Sequence, residues 1–164
     1  MQWVNALIQG LLLGGLYALL ASGLSLMFGV MRIVNLAHGT LAVLAAYLGL
    51  IAVQEFELSP IVAIVIVVPI MAVLGYAVQR GLFNLALKRG GLAPLLVAFG
   101  LAVVLTQGMQ EVFSADTQSI PIGSLAGDSF QVANDLYIGV FPLITFVIGV
   151  LVVAALQFFL AKLP

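Results

Sequence analysis

The stretch IVAIVIVVPIMAVLGYAV, from Ile61 to Val78, carries no charge and does not alternate between apolar and polar positions. Four further runs share its character, roughly Trp3–Phe28, Ile33–Val53, Ala93–Val112 and Tyr137–Leu160. Each is close to the length of about 20 apolar residues with which a helix crosses the hydrocarbon of a bilayer. Inside hydrocarbon no water satisfies the backbone, so only helices and closed barrels can span it. A barrel would show alternating segments of about ten residues, and these runs do not alternate. The predicted fold is therefore all-α, a polytopic transmembrane helical bundle of about five spanning helices. The breaks between spans are expected at Gly29–Arg32, Gln54–Pro60, Gln79–Gly91 and Phe113–Leu136.

Composition agrees. The 164 residues are 64% hydrophobic and 7% charged, with a mean hydropathy of +1.30. Soluble domains carry about a quarter charged residues, and one small core could not hide this much apolar surface. Cysteine is absent, which removes disulfides and thiolate metal sites. One histidine and six scattered acids give no basis for a structural metal site. No basic stripe is present to hold a nucleic acid. The N-terminal run lacks a basic leader and a cleavage pattern, and its apolar stretch is too long for a signal peptide, so it is expected to be a retained span.

Charge supplies an independent check on the span count. Basic residues gather on the cytoplasmic side of membrane proteins. With five alternating spans, Arg32, Arg80, Lys88, Arg89 and Lys162 all fall on one face. Glu55, Glu57, Glu111, Asp116, Asp128 and Asp135 fall near the opposite face. The expected orientation places the N-terminus outside and the C-terminus in the cytoplasm. The long segment from Phe113 to Leu136 then lies outside, either as a solvated tether or as a docking surface.

The polar residues within the spans need separate explanations. With Arg32 at the cytoplasmic interface, His38 would lie six residues deeper, about 9 Å if the stretch is helical. Polar groups at such depth are costly and mark functional paths. Asn35 is a good helix N-cap, with His38 then at N3, and the pair would share one helix face. The same residues could instead line or gate a path between helices. Gly39 allows another backbone to approach. Gly10 and Gly14 have the spacing that brings helices close. The first run would reach about 39 Å as a helix, so it must tilt, break or leave Trp3 in the outer interface. Pro69 and Pro142 are expected to kink rather than hinge their spans, because neighbouring groups can re-satisfy the freed backbone. Ser22 and Ser25 can bond back to their own helix. Paired with His38, either could act as a nucleophile, but no carboxylate stands on that side to orient the histidine and no oxyanion motif is present. Glu111 is expected to reach the outer interface.

The stretch ALIQGLLLGGLYALLASGLSLMFGVMRIVNLAHGTLAVLAAYL resembles the opening of the branched-chain amino acid ABC transporter permeases of the LivH type. The matching residues are Tyr17, Ala18, Leu19, Gly29, Asn35, Ala37, His38 and Gly39. The likeness continues, more weakly, through VQRGLFNLALKRGGLAPLLVAFGLAVVLTQGMQEVF and the outer segment SIPIG. Leu36 stands where that family usually has phenylalanine, and Thr40 where it often has an acid, which removes a charge partner for His38.

The resemblance implies an inner-membrane permease subunit of an ABC importer. Its partners would be ATP-binding cassette subunits, a sister permease, a periplasmic solute-binding protein and the lipid bilayer, with no nucleic acid. ATP would be used in the partner subunits, and this chain would hold no cofactor, no metal and no catalytic residue. Substrate-pathway or helix-packing candidates are Asn35, His38, Gly39, Tyr17 and Ser22. The expected substrate is a branched-chain amino acid, with urea or a short amide as the alternative within the family. An intramembrane hydrolase and a non-transporting membrane scaffold are the alternatives outside it. Residues 1–164 are expected to form a single transmembrane permease domain, the N-terminal portion of a longer permease that would not transport alone.

Overall fold

The computed structural model describes residues 2–31, 34–114, 116, 118–119, 129–133 and 136–162. Helix α1 (Gln2–Met31) is followed by α2 (His38–Gln54) and α3 (Pro60–Val78). A single π-helical turn (Gln79–Phe83) joins α3 to the short α4 (Asn84–Leu87). Then come α5 (Ala93–Phe113), strands β1 (Ser129–Ala133) and β2 (Leu136–Gly139), and α6 (Val140–Lys162). Each of the five apolar runs contains a helix, although residues 34–37 of the second are a turn and Tyr137–Gly139 of the fifth belong to β2, and the architecture is an all-α polytopic membrane fold. Three stretches, Trp3–Gly29, Pro60–Leu87 and Ala93–Phe113, are long and apolar enough to cross a bilayer. Two shorter apolar helical stretches, His38–Gln54 and Pro142–Phe158, accompany them.

Several expected boundaries are corrected. The break at Gly29–Arg32 is helical through Met31, and the second helix begins at His38 rather than Ile33. The break at Gln79–Gly91 shrinks to a turn over Lys88–Leu92, because the backbone stays helical to Leu87. Gly90 adopts φ +116° there, a left-handed conformation that glycine reaches without steric cost. The segment between α5 and α6 contains a two-stranded antiparallel hairpin pairing Phe130 with Ile138 and Gln131 with Tyr137. Much of that segment, including most of SIPIG and the aspartates Asp128 and Asp135, lies outside the described residues.

The prolines sit where a helix tolerates them. Pro60 starts α3 behind Ser59, whose hydroxyl accepts the Val62 N–H at 3.5 Å. Pro142 is the third residue of α6, within the first turn, where no intrahelical N–H is lost. Pro69 lies inside α3 without ending it.

The chain divides into two compact units, Met1–Leu26 with Ile122–Pro164, and Met27–Pro121. In the first unit α1 and α6 meet through glycine. A Cβ on Gly149 would come within 3.0 Å of the Gly15 carbonyl oxygen, and one on Gly15 within 2.5 Å of Phe146 Cδ2. The expectation that Gly10 and Gly14 make the close approach is corrected, since a Cβ on either meets nothing within 4 Å among the described residues. One residue step turns a helix by about 100°, so Gly14 and Gly15 face different ways.

In the second unit α2 packs on α3 and α5, while the π turn and α4 pack on α5. Phe83 and the fully buried Ala98 form a core cluster against which Val78 and Leu101 rest. Tyr47 of α2 stacks on Phe113 of α5 with ring centroids 4.2 Å apart. Large apolar side chains such as Ile64, Val65 and Val68 remain exposed on α3, as expected where lipid or another helix replaces water.

Gly15→Leu is expected to destabilise the protein by about 1–3 kcal/mol through overpacking. Gly14→Leu, one residue away, should leave stability nearly unchanged. Reversible unfolding in mixed micelles, followed by circular dichroism, compares the two.

Candidate functional site

The polar residues at the head of α2 are arranged by hydrogen bonds that precede the helix. Asn35 Oδ1 accepts the Ala37 N–H at 3.0 Å, and the Asn35 carbonyl accepts the His38 N–H at 3.1 Å. The first bond is an Asx turn and the second closes a β-turn, for both of which asparagine is favoured at the leading position. The N-cap is Ala37, in an αR conformation and without a side-chain cap. The expected N-cap role of Asn35 is thereby corrected. Asparagine bonds to the N–H two residues on as readily as it caps a helix, and here the local turn wins. His38 is the first helical residue rather than N3. The 9 Å depth expected for a helical Arg32–His38 stretch does not apply, because residues 34–37 are not helical.

Asn35 is 7% exposed and Ala37 is fully buried. The amide nitrogen of Asn35 donates to Met27 Sδ at 3.7 Å, a weak bond to a thioether that ties the turn to the last helical turns of α1. Sequence reasoning missed Met27, since no spacing rule pairs an asparagine with a methionine eight residues earlier. His38 is half-buried and makes an interaction of its own, while Gly39 is exposed and a Cβ there would meet nothing within 4 Å. The close approach that Gly39 permits is not used among the described residues.

The structure thus brings Asn35, His38 and Gly39 together with Met27. Tyr17 and Ser22 belong to the first compact unit. Tyr17 is exposed, and Ser22 Oγ donates to the Leu19 carbonyl at 2.7 Å. That back-bond to its own helix occupies the hydroxyl proton that a nucleophile would surrender. Glu111 is exposed near the end of α5. Among the described residues no three metal-ligating side chains come together.

The site offers buried amide hydrogen-bonding capacity at a helix start. Such a site can position a turn or neutral polar groups.

Against known proteins, the family model of the permease component of branched-chain amino acid transport systems matches residues 6–163. The chain belongs to this family. It is 24% identical over 172 residues to the high-affinity branched-chain amino acid transport system permease protein BraD of Pseudomonas aeruginosa. That alignment covers 98% of this chain and 55% of BraD, so the chain spans about half the length of the curated relative it matches. No solved structure matches. Family and helices together make this a multi-pass membrane protein.

Replacing Asn35 with alanine would strand the buried Ala37 N–H, which should cost about 1–3 kcal/mol. Leu36→Ala, at the exposed neighbour, should be close to neutral. Thermal unfolding of the two variants in the same detergent checks the difference.

Proposed function

We propose that the protein is an inner-membrane permease subunit of an ABC importer for branched-chain amino acids. The observation that carries this reading is the family match, which runs from residue 6 to residue 163 and so through both compact units. The likeness to BraD supports the substrate class. In this reading residues 1–164 work as one transmembrane permease domain. ATP-binding cassette subunits supply the energy from the cytoplasm, a sister permease completes the pathway, and a periplasmic binding protein delivers the amino acid. The chain itself performs no chemistry.

The Asn35 turn fits a structural part in such a pathway. Its backbone bonds close within the turn and its amide nitrogen reaches Met27 of α1, so it can hold the α1–α2 connection while the helices around it change partners. Tyr17, Ser22, His38 and Gly39 are the further positions at which this reading places pathway or packing contacts. The basic loop at Lys88–Arg89 faces the cytoplasm in this reading, and Asp116 faces outward.

A strain lacking the protein should lose ATP-dependent uptake of radiolabelled leucine, isoleucine and valine while urea uptake is unchanged, and the complete protein supplied in trans should restore it. Loss of urea uptake alone would move the substrate to the small amides. Unchanged uptake of both would contradict the importer reading.

A further inference from the structure

We propose that the α3–α4 end of the second unit binds the headgroup of an anionic phospholipid. The first observation is the π turn. The Asn84 N–H bonds to the Gln79 carbonyl, five residues back, which inserts one residue into the α-helical ladder. An inserted residue rotates everything after it by about 100°. That rotation brings Phe83 onto the side of Val78, and both rest against the Ala98 cluster. The same rotation acts on the opposite face. In an uninterrupted helix Lys88 would stand about 80° around from Arg80, whereas one inserted residue reduces this to about 20°.

Arg80 is itself held in place. Its Nη1 donates to the Tyr76 hydroxyl at 2.8 Å, one helical turn earlier. Tyr76, Arg80 and Lys88 therefore line one side of the rod, with Arg89 in the turn that follows. All four are exposed, and among the described residues none of the three cations is paired with a carboxylate. In sequence the nearest acids are Glu57, before the start of α3, and Glu111, near the far end of α5.

Position along the rod selects the occupant. The Pro60–Leu87 helical stretch is 28 residues long, about 42 Å at helical rise, against about 30 Å of hydrocarbon. About 20 residues fill the hydrocarbon, and counted from Pro60 they end at Gln79. Arg80 then stands at the depth of the phosphates and Lys88 beyond it, while the Tyr76 ring lies at the interface that tyrosine favours. A guanidinium fork there matches phosphate oxygens bidentately, and the added lysine and arginine favour a headgroup with net negative charge. A zwitterionic headgroup would bring its own cation to a surface that already holds three.

The test offers the complete protein, in mild detergent, equal amounts of phosphatidylglycerol and phosphatidylcholine with the same acyl chains. Bound lipids are counted by native mass spectrometry. The wild type should retain phosphatidylglycerol several-fold over phosphatidylcholine. Arg80→Gln should lower that preference, and the combined Arg80→Gln, Lys88→Gln and Arg89→Gln variant should abolish it with an unchanged circular dichroism spectrum. Arg32→Gln, an equal loss of charge elsewhere, should leave the preference intact. Millimolar inorganic phosphate should not displace the lipid. The proposal is overturned by a wild type without preference, by a combined variant that keeps it, by an Arg32→Gln effect equal to that of Arg80→Gln, or by displacement with free phosphate.

Discussion

A backbone N–H or C=O left unpaired in hydrocarbon costs several kcal/mol, and each described departure from α-helix between Val34 and Ala93 contains a local hydrogen bond that answers that cost. In the turn before α2, Asn35 supplies two acceptors, its side-chain oxygen to Ala37 and its carbonyl to His38. After α2 the Leu58 N–H returns to the Ala52 carbonyl. The π turn keeps the ladder closed by bonding Asn84 to Gln79. At Gly90 the Arg89 N–H reaches Ala86 and the Ala93 N–H reaches Gly90. At about 26 Å for its 17 residues, α2 is shorter than the hydrocarbon is thick. Its leading turn therefore needs the protection that burial of Asn35 and Ala37 provides.

Small residues then decide which helices approach. Gly149 lies against the backbone of Gly15, and Ala98 leaves room for the Phe83 ring. Lipid is as apolar as leucine, so close packing rather than exclusion of water drives such contacts. This explains how so few residues are buried while large side chains such as Ile64, Val65 and Val68 stay outside. The family model runs through both units, in keeping with a protein whose apolar faces meet lipid and other helices.

The number and type of the long elements were legible in the sequence, because an apolar run of about 20 residues has one inexpensive solution in a bilayer. Their ends were less so. Asn35 carries the same residue-type signal for an N-cap and for an Asx turn, and only the structure shows that Ala37 takes the cap position. The π turn was invisible to a 3.6-residue pattern, since Val78 and Phe83 are five apart and share a face only after the insertion. Gly10 and Gly14 carried the packing signature, yet Gly15 makes the contact, because small-residue spacing does not reveal which face meets the partner. Of the candidate site, the grouping of Asn35, His38 and Gly39 followed from adjacency, whereas the Met27 bond rests on a tertiary approach that no local rule encodes.

The proposed orientation of the helices rests on the segregation of basic and acidic residues along the sequence. Native cysteine is absent, so single cysteines report their side of the membrane without background. Cysteine placed at Asp116 and, separately, at Lys88 should be distinguished by a membrane-impermeant thiol reagent applied to cells whose outer membrane admits it. The account predicts labelling at 116 in intact cells and labelling at 88 only once the inner membrane is opened. Labelling of both in intact cells, or the reverse pattern, would contradict it.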